Sequence, residues 1–351
     1  MTSTDPAGID VDRVTAWLGT HVGTVAPLRF ERLAGGHSNL TYRVDDADGR
    51  AVVLRRPPEG PLLPSAHDMG REHTLIAALG PTDVPVPAAL AHCEDESVTG
   101  APFYVMDHVD GVVLHTQELA EASFPESMRR GIGESFIDVL ARLHAVDPDA
   151  VGLGALSKKE AYIARQLKTW WRQYEASRTH DDPQLVDVHD WLLANIPDQG
   201  PARVVHGDFR LGNCITSADG QIVAVLDWEI ATLGDPLADL GYVLATWPQP
   251  GDDLVASTSA TSMAPGFPTR DELLGRSASS TGADVTMIDY YVAWANWKTA
   301  CIVQGVYKRY CDGALDTTGI DLEGFRRTVE AATALAAAAI GRMDPDGPIG
   351  R

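Results

Sequence analysis

The chain has 351 residues, of which 44% are hydrophobic and 22% charged, and its formal net charge is −21. That is the composition of an ordinary globular protein, long enough to bury a sizeable core and to make two lobes or domains. The acidity argues against a nucleic-acid or anionic-membrane binder, because phosphate would be repelled. The longest apolar stretch, Ala331 to Ile340, is far short of the roughly 20 residues that cross a bilayer.

Along the chain, Asp10 leads a helical pattern over Val11 to Val22, with Val14, Trp17 and Leu18 on one side. Strand-like segments follow at 28–33, 40–44 and 51–55, separated by Gly35-Gly36 and by the turn residues Asp45 to Gly49. Met69 to Leu79 reads as a helix stopped by Gly80-Pro81, and strands are expected at 88–93 and 103–107. Beyond Asp110-Gly111 the pattern is helical: 125–146, 158–179 and 183–195, then 236–246, 269–277, 288–310 and 321–342. Residues 248–268 are rich in Pro, Gly, Ser and Asp and are expected to form a long loop, either a surface excursion or a flap near a substrate. The four cysteines, Cys93, Cys214, Cys301 and Cys311, are scattered, and the N-terminus has no apolar leader. Reduced thiols and a cytoplasmic location are the expectation.

The most informative segment lies between the helical stretches. His206-Gly207-Asp208 is followed by Asn213 in the pattern H-G-D-x-x-x-x-N, and Asp227 stands fourteen positions beyond the asparagine. Apolar residues precede both motifs, at 202–205 and 222–226, so each reads as a short strand delivering polar groups to a loop. Phosphoryl transfer from ATP needs this spacing: one aspartate orients the attacking hydroxyl, while an asparagine and a second aspartate hold magnesium through hard oxygen ligands. A His-Gly-Asp turn alone would be unremarkable, since Gly and Asp both favour turns; the spaced Asn213 and Asp227 carry the signal. Glu229 either approaches a second metal or faces solvent.

With Gly234-Asp235-Pro236-Leu237-Ala238-Asp239-Leu240, these motifs resemble the aminoglycoside phosphotransferase-like family, a branch of the protein-kinase-like superfamily. The resemblance implies a bilobal α+β fold, with a β-rich N-lobe over residues 1–107 and a mainly helical C-lobe over 108–351. It makes Asp208 the catalytic base, Arg210 a cation for the transferred phosphoryl group and His206 a brace for the loop. It makes Asp239 a buried support for that loop, and Asn213 and Asp227 the metal ligands. In the N-lobe, the backbone of Gly36 to Asn39 and the Ser38 hydroxyl are placed against the β- and γ-phosphates. Arg55, in Val52-Val53-Leu54-Arg55, stands where kinases have lysine, and would bind phosphates and pair with Glu72. Arg56 is the alternative, but strand alternation turns it away from Arg55. Met106, Asp107 and Val109 are expected at the adenine.

Four further segments, 54–58, 62–69, 166–179 and 304–307, are similar to the bacterial branch related to the kinase-like domain fused to acyl-CoA dehydrogenases. For that branch a hydroxyacyl-CoA is the implied acceptor. An aminoglycoside or another metabolite alcohol is the alternative, and a nucleotide-binding pseudokinase scaffold is the reading from a different class. Arg172, Lys298 and Lys308 are candidates for an anionic acceptor, against the plainer reading of solvated helix faces. The oligomeric state is not legible.

Overall fold

Alternation decides the first sheet. In 40–45, Leu40, Tyr42 and Val44 alternate with Thr41, Arg43 and Asp45, so this strand offers one face to a core and the other to a polar layer, whereas 51–54 is apolar on both faces before Arg55 and Arg56. The computed structural model describes residues 6–33, 39–60, 67–256, 260–313, 320–344 and 349. In chain order it runs α1 (Val11–His21), β1 (Arg29–Arg32), β2 (Leu40–Asp45), β3 (Ala51–Arg56), α2 (Met69–Leu79), β4 (Ala89–Cys93), α3 (Glu96–Thr99) and β5 (Phe103–Asp107). There follow α4 (Gln117–Ser123), α5 (Glu126–Ala145), α6 (Tyr162–Ser177), α7 (Pro183–Ala194), β6 (Arg203–Val205), β7 (Cys214–Thr216), β8 (Ile222–Val225) and β9 (Thr232–Gly234). The chain ends with α8 (Leu237–Ala245), α9 (Arg270–Thr281), α10 (Ile288–Cys311) and α11 (Leu322–Met343). This is the α+β, bilobal kinase-like fold that the sequence led us to expect.

Two compact units divide these elements: Met1–Gly111 with Val223–Ile230, and Val112–Ile222 with Ala231–Arg351. The first holds an antiparallel sheet in the order β1-β2-β3-β5-β4. Its register sets Arg55 opposite Thr41 and Tyr104, while Arg56 faces Leu40. One face of the sheet, with Tyr42, Val44, Val52, Leu54, Phe103 and Val105, packs on Val14 and Leu18 of α1. Each such side chain contributes roughly 1.5–3 kcal/mol on full burial. The Asp10 carboxylate caps α1 at the Arg13 amide, as expected from its position before the apolar run, and Asp68 caps α2 at the Arg71 amide. The Arg56 guanidinium donates to the Gly8 carbonyl ahead of α1, so it serves the helix side of the sheet.

The second unit is a helical body around α10, most of whose aromatic residues are buried (Tyr290, Tyr291, Trp294, Trp297). A short ribbon of β6 and β9 pairs Arg203 with Gly234 and Val205 with Thr232. The 248–268 segment, described except for 257–259, carries one turn of 3-10 helix at Thr261–Met263 and is pinned by Arg129 donating to the Pro265 carbonyl and Trp247 to the Pro268 carbonyl. Among the described residues no helix is long and apolar enough to cross a membrane. All four cysteines are free.

Close approach of α8 to α10 depends on Gly241. A Cβ there would lie 2.5 Å from the Tyr291 Cβ and 2.6 Å from its carbonyl carbon, backbone that cannot swing away. Gly241→Ala is therefore expected to lower unfolding free energy by about 1–3 kcal/mol, the usual cost of overpacking. Urea denaturation checks it, and an unchanged midpoint would mean that the two helices separate freely.

Candidate active site

The loop that carries His206 to Asn213 lies in the second unit and is shaped by a buried carboxylate. Asp239, 1% exposed in the first turn of α8, accepts the His206 amide at 2.7 Å and the Gly207 amide at 2.8 Å. The His144 imidazole lies 3.3 Å from the same carboxylate. Burial opposes the Asp239 charge, yet His144 and the loop amides outweigh it and hold the carboxyl below its ordinary range. Gly207 has φ 84°, a left-handed conformation that a glycine adopts without strain and that turns the chain out of β6. His206 is fully buried, and its Nδ1 accepts the Asp208 amide at 3.3 Å. It braces the loop from inside.

Asp208, whose side chain is 27% exposed, is held at both carboxylate oxygens. Oδ1 accepts the Tyr242 hydroxyl. Oδ2 accepts Asn213 Nδ2 at 2.8 Å and Arg210 Nε at 3.3 Å. Asn213 Nδ2 also donates to the Asp208 carbonyl at 2.9 Å. Because both partners of the Asn213 amide, the Asp208 carbonyl and Oδ2, are acceptors, its nitrogen must face Asp208, which leaves its oxygen as a hard donor suited to magnesium.

Lys298 of α10 is 3% exposed, and its Nζ donates to the Gly207 carbonyl at 2.9 Å. The rings of Trp170, Tyr242 and Trp294 surround that ammonium at 5.5–5.7 Å. Burial pushes the Lys298 ammonium toward losing its proton. Of the other cations grouped with it by sequence, Arg172 is exposed on α6, and Lys308 is half-buried and paired with Asp312.

The first unit carries the other acidic motif. Arg55 sits in an ion-pair chain, with Nε 3.1 Å from Glu72 and an NH2 group donating to Asp227 at 2.5 Å. Glu229 lies 3.8 Å from the same guanidinium. Glu72 is 1% exposed and also accepts the Tyr104 hydroxyl at 3.1 Å. Burial pushes its carboxyl up to about 7, against the pull of Arg55. Asp227 has φ 65°, a left-handed backbone that Asp and Asn tolerate better than other side chains. Asn39, 4% exposed, donates to Glu229 at 3.2 Å, and its Oδ1 is 2.8 Å from His67. Glu229 is thus tied to protein partners. Met106 is buried, while Asp107 and Val109 are half-buried at the end of β5. Gly36 and Ser38 lie outside the described residues.

Two tyrosines escaped the sequence reading. Tyr242 carries a usable signal, one helical turn after Asp239, where an (i, i+3) pair shares a face. Tyr104 does not, since its register against Arg55 follows only from the β3–β5 pairing.

The phosphotransferase enzyme family (APH) matches this chain over residues 29–273. Acyl-CoA dehydrogenase family member 10 of Mus musculus is 37% identical over 302 residues, covering 84% of this chain and 28% of that protein. Acyl-CoA dehydrogenase family member 11 of Gallus gallus is 36% identical over 296 residues, or 82% of this chain and 37% of that one. The chain therefore spans well under half the length of these curated relatives. A crystal structure of a Ralstonia eutropha protein, provisionally named an aminoglycoside phosphotransferase, superposes with a TM-score of 0.80 at 32% identity. It covers 94% of this chain and 98% of that one.

Asp239→Ala removes the acceptor of two buried amides. Unpaired buried donors cost roughly 1–3 kcal/mol each, so the variant is expected to lose about 2–5 kcal/mol of stability in a denaturant titration. A loss below 1 kcal/mol would show that the loop finds other acceptors.

Proposed function

The chain belongs to the phosphotransferase enzyme family, and we propose that it transfers the γ-phosphoryl group of ATP to the hydroxyl of a small molecule, with a hydroxyacyl-CoA as acceptor. The observation that carries this reading is the state of Asp208: an ionisable side chain, partly exposed, with three donors fixing its carboxylate. A base held in this way orients a hydroxyl and takes its proton as the oxygen bonds to the γ-phosphorus. The bond to the bridging oxygen breaks, and its electron pair leaves with ADP. Arg210, whose Nε lies 3.3 Å from Asp208 Oδ2, is the proposed cation for the transferred phosphoryl group.

Asn213 and Asp227 are the proposed magnesium ligands, and their oxygen donors suit a hard cation. Magnesium, when bound with the nucleotide, neutralises phosphate charge. Arg55 is the proposed phosphate partner, since it is anchored by Glu72 and a guanidinium binds phosphate bidentately. Asn39 and the backbone of Gly36 and Ser38 are proposed along the phosphates, and Met106, Asp107 and Val109 at the adenine. A pseudokinase scaffold is disfavoured by a fully furnished Asp208.

Two acceptor classes remain to be told apart. Relatives bearing the acyl-CoA dehydrogenase name support a CoA ester. The name of the Ralstonia protein supports an aminoglycoside, as does the net charge of −21. We favour the CoA ester, with exposed Arg172 as one contact for its phosphates.

Asp208→Asn is expected to lower kcat by about 10²–10⁴-fold, the usual worth of a positioned base, with Mg-ATP affinity retained. Asp227→Asn should do the reverse and weaken Mg-ATP binding in calorimetry. Asparagine suits a positive φ, so that loss would report the missing charge rather than backbone strain. Near-native turnover in the first variant, or unchanged affinity in the second, refutes the corresponding role.

ADP release, followed over hydroxyacyl-CoAs, free hydroxy acids and aminoglycosides, is expected only with the CoA esters. Arg172→Glu should raise KM for the ester and spare a polycation. Turnover confined to aminoglycosides would replace the acceptor while keeping the reaction.

A further inference from the structure

Asp208 can be counted lone pair by lone pair. A carboxylate offers about four acceptor positions, two on each oxygen. Asn213 and Arg210 take both on Oδ2. Tyr242 takes one on Oδ1. With the side chain 27% exposed, the remaining Oδ1 position is, among the described residues, the one left for a ligand. We infer that Tyr242 is a positioning residue for phosphoryl transfer, fixing Oδ1 of Asp208 so that its last lone pair receives the proton of the acceptor hydroxyl.

Resting on the phosphotransferase reading above, this deepens it by naming the proton-accepting atom and the group that aims it. A twist of the carboxylate out of its present plane would turn its open lone pair off the acceptor. Tyr242 resists that twist at Oδ1, as Asn213 and Arg210 do at Oδ2. The phenol is itself fixed: α8 carries it three residues after Asp239, which grips the same loop at His206 and Gly207. The Lys298 ammonium, 5.5 Å from the Tyr242 ring centroid, is bonded to the Gly207 carbonyl and ties that ring to the loop. Burial, and then the Asp208 charge, raise the phenol well above its ordinary range, so it remains a donor throughout. During transfer the acceptor O–H bond breaks, its proton passes to Oδ1, and the new P–O bond replaces the one to ADP. Tyr242 keeps its own proton.

Tyr242→Phe preserves the ring and removes only the donor. With an active acceptor, kcat is expected to fall about 10- to 100-fold, a share of what a positioned base contributes, while KM for ATP and for the acceptor stays within about twofold and the melting temperature is kept. Ring-fluorinated tyrosine at position 242 should give kcat values graded with phenol acidity, which a purely packing role would not produce. A second measurement needs no acceptor. With tyrosine labelled at Cζ, the resonance lost in Tyr242→Phe should move in Asp208→Ala, because the phenol then lacks its anionic partner. Turnover of Tyr242→Phe within twofold of wild type, or a Cζ resonance unmoved by Asp208→Ala, overturns the inference. Absence of turnover in the wild type with every acceptor would defeat the phosphotransferase reading instead, and the Cζ resonance would then decide the Tyr242–Asp208 bond by itself.

Discussion

The loop from His206 to Asn213 depends on one buried negative charge. A carboxylate taken out of water is costly unless each oxygen has donors, and Asp239 finds them in two consecutive loop amides and an imidazole. Those bonds set where the chain leaves β6 and hence where Asp208 stands. The same helix that supplies Asp239 supplies Tyr242, so a single turn of α8 both shapes the loop and holds the Asp208 carboxylate. Lys298 completes the arrangement from α10, its buried ammonium offsetting the local anions and satisfying the Gly207 carbonyl.

The first unit solves a similar problem with the opposite emphasis. Here the central buried ion is a cation, Arg55, and acidic groups converge on it from α2 and from the 227–229 segment. Glu72 bears most of the burial, which raises its carboxyl to about 7, and the Tyr104 hydroxyl shares its charge. A guanidinium suits this position better than an ammonium, because its fork reaches Glu72 with one nitrogen and Asp227 with another. Arginine in the place of the kinase lysine thus has a structural logic of its own, whatever its effect on a bound nucleotide.

Strong local patterns made most of the secondary structure legible. Asp10 and Asp68 cap helices one residue before the apolar periodicity begins, and the starts of α1 and α2 fall where the pattern places them. α3 and α4 were not foreseen, because four and seven residues are too short for a periodicity to declare itself. The ribbon of β6 and β9 shows the limit from another side. Thr232–Gly234 has three residues, and only its partner Arg203–Val205 makes it a strand.

For the site, sequence alone determined which chemical groups are present and their order: the Asp208 carboxylate, the Asn213 amide and the Asp227 carboxylate stand at the spacings on which the proposed phosphoryl transfer rests, and spacing is a property of the chain itself. Tertiary structure decided what each group touches. That Lys298 lies beneath the loop while Arg172 faces solvent, that Tyr242 meets Asp208, and that Val223–Ile230 joins the unit of Arg55 all depend on contacts between residues tens to hundreds of positions apart. Burial and partnership arise from packing of distant elements, and no local pattern encodes them.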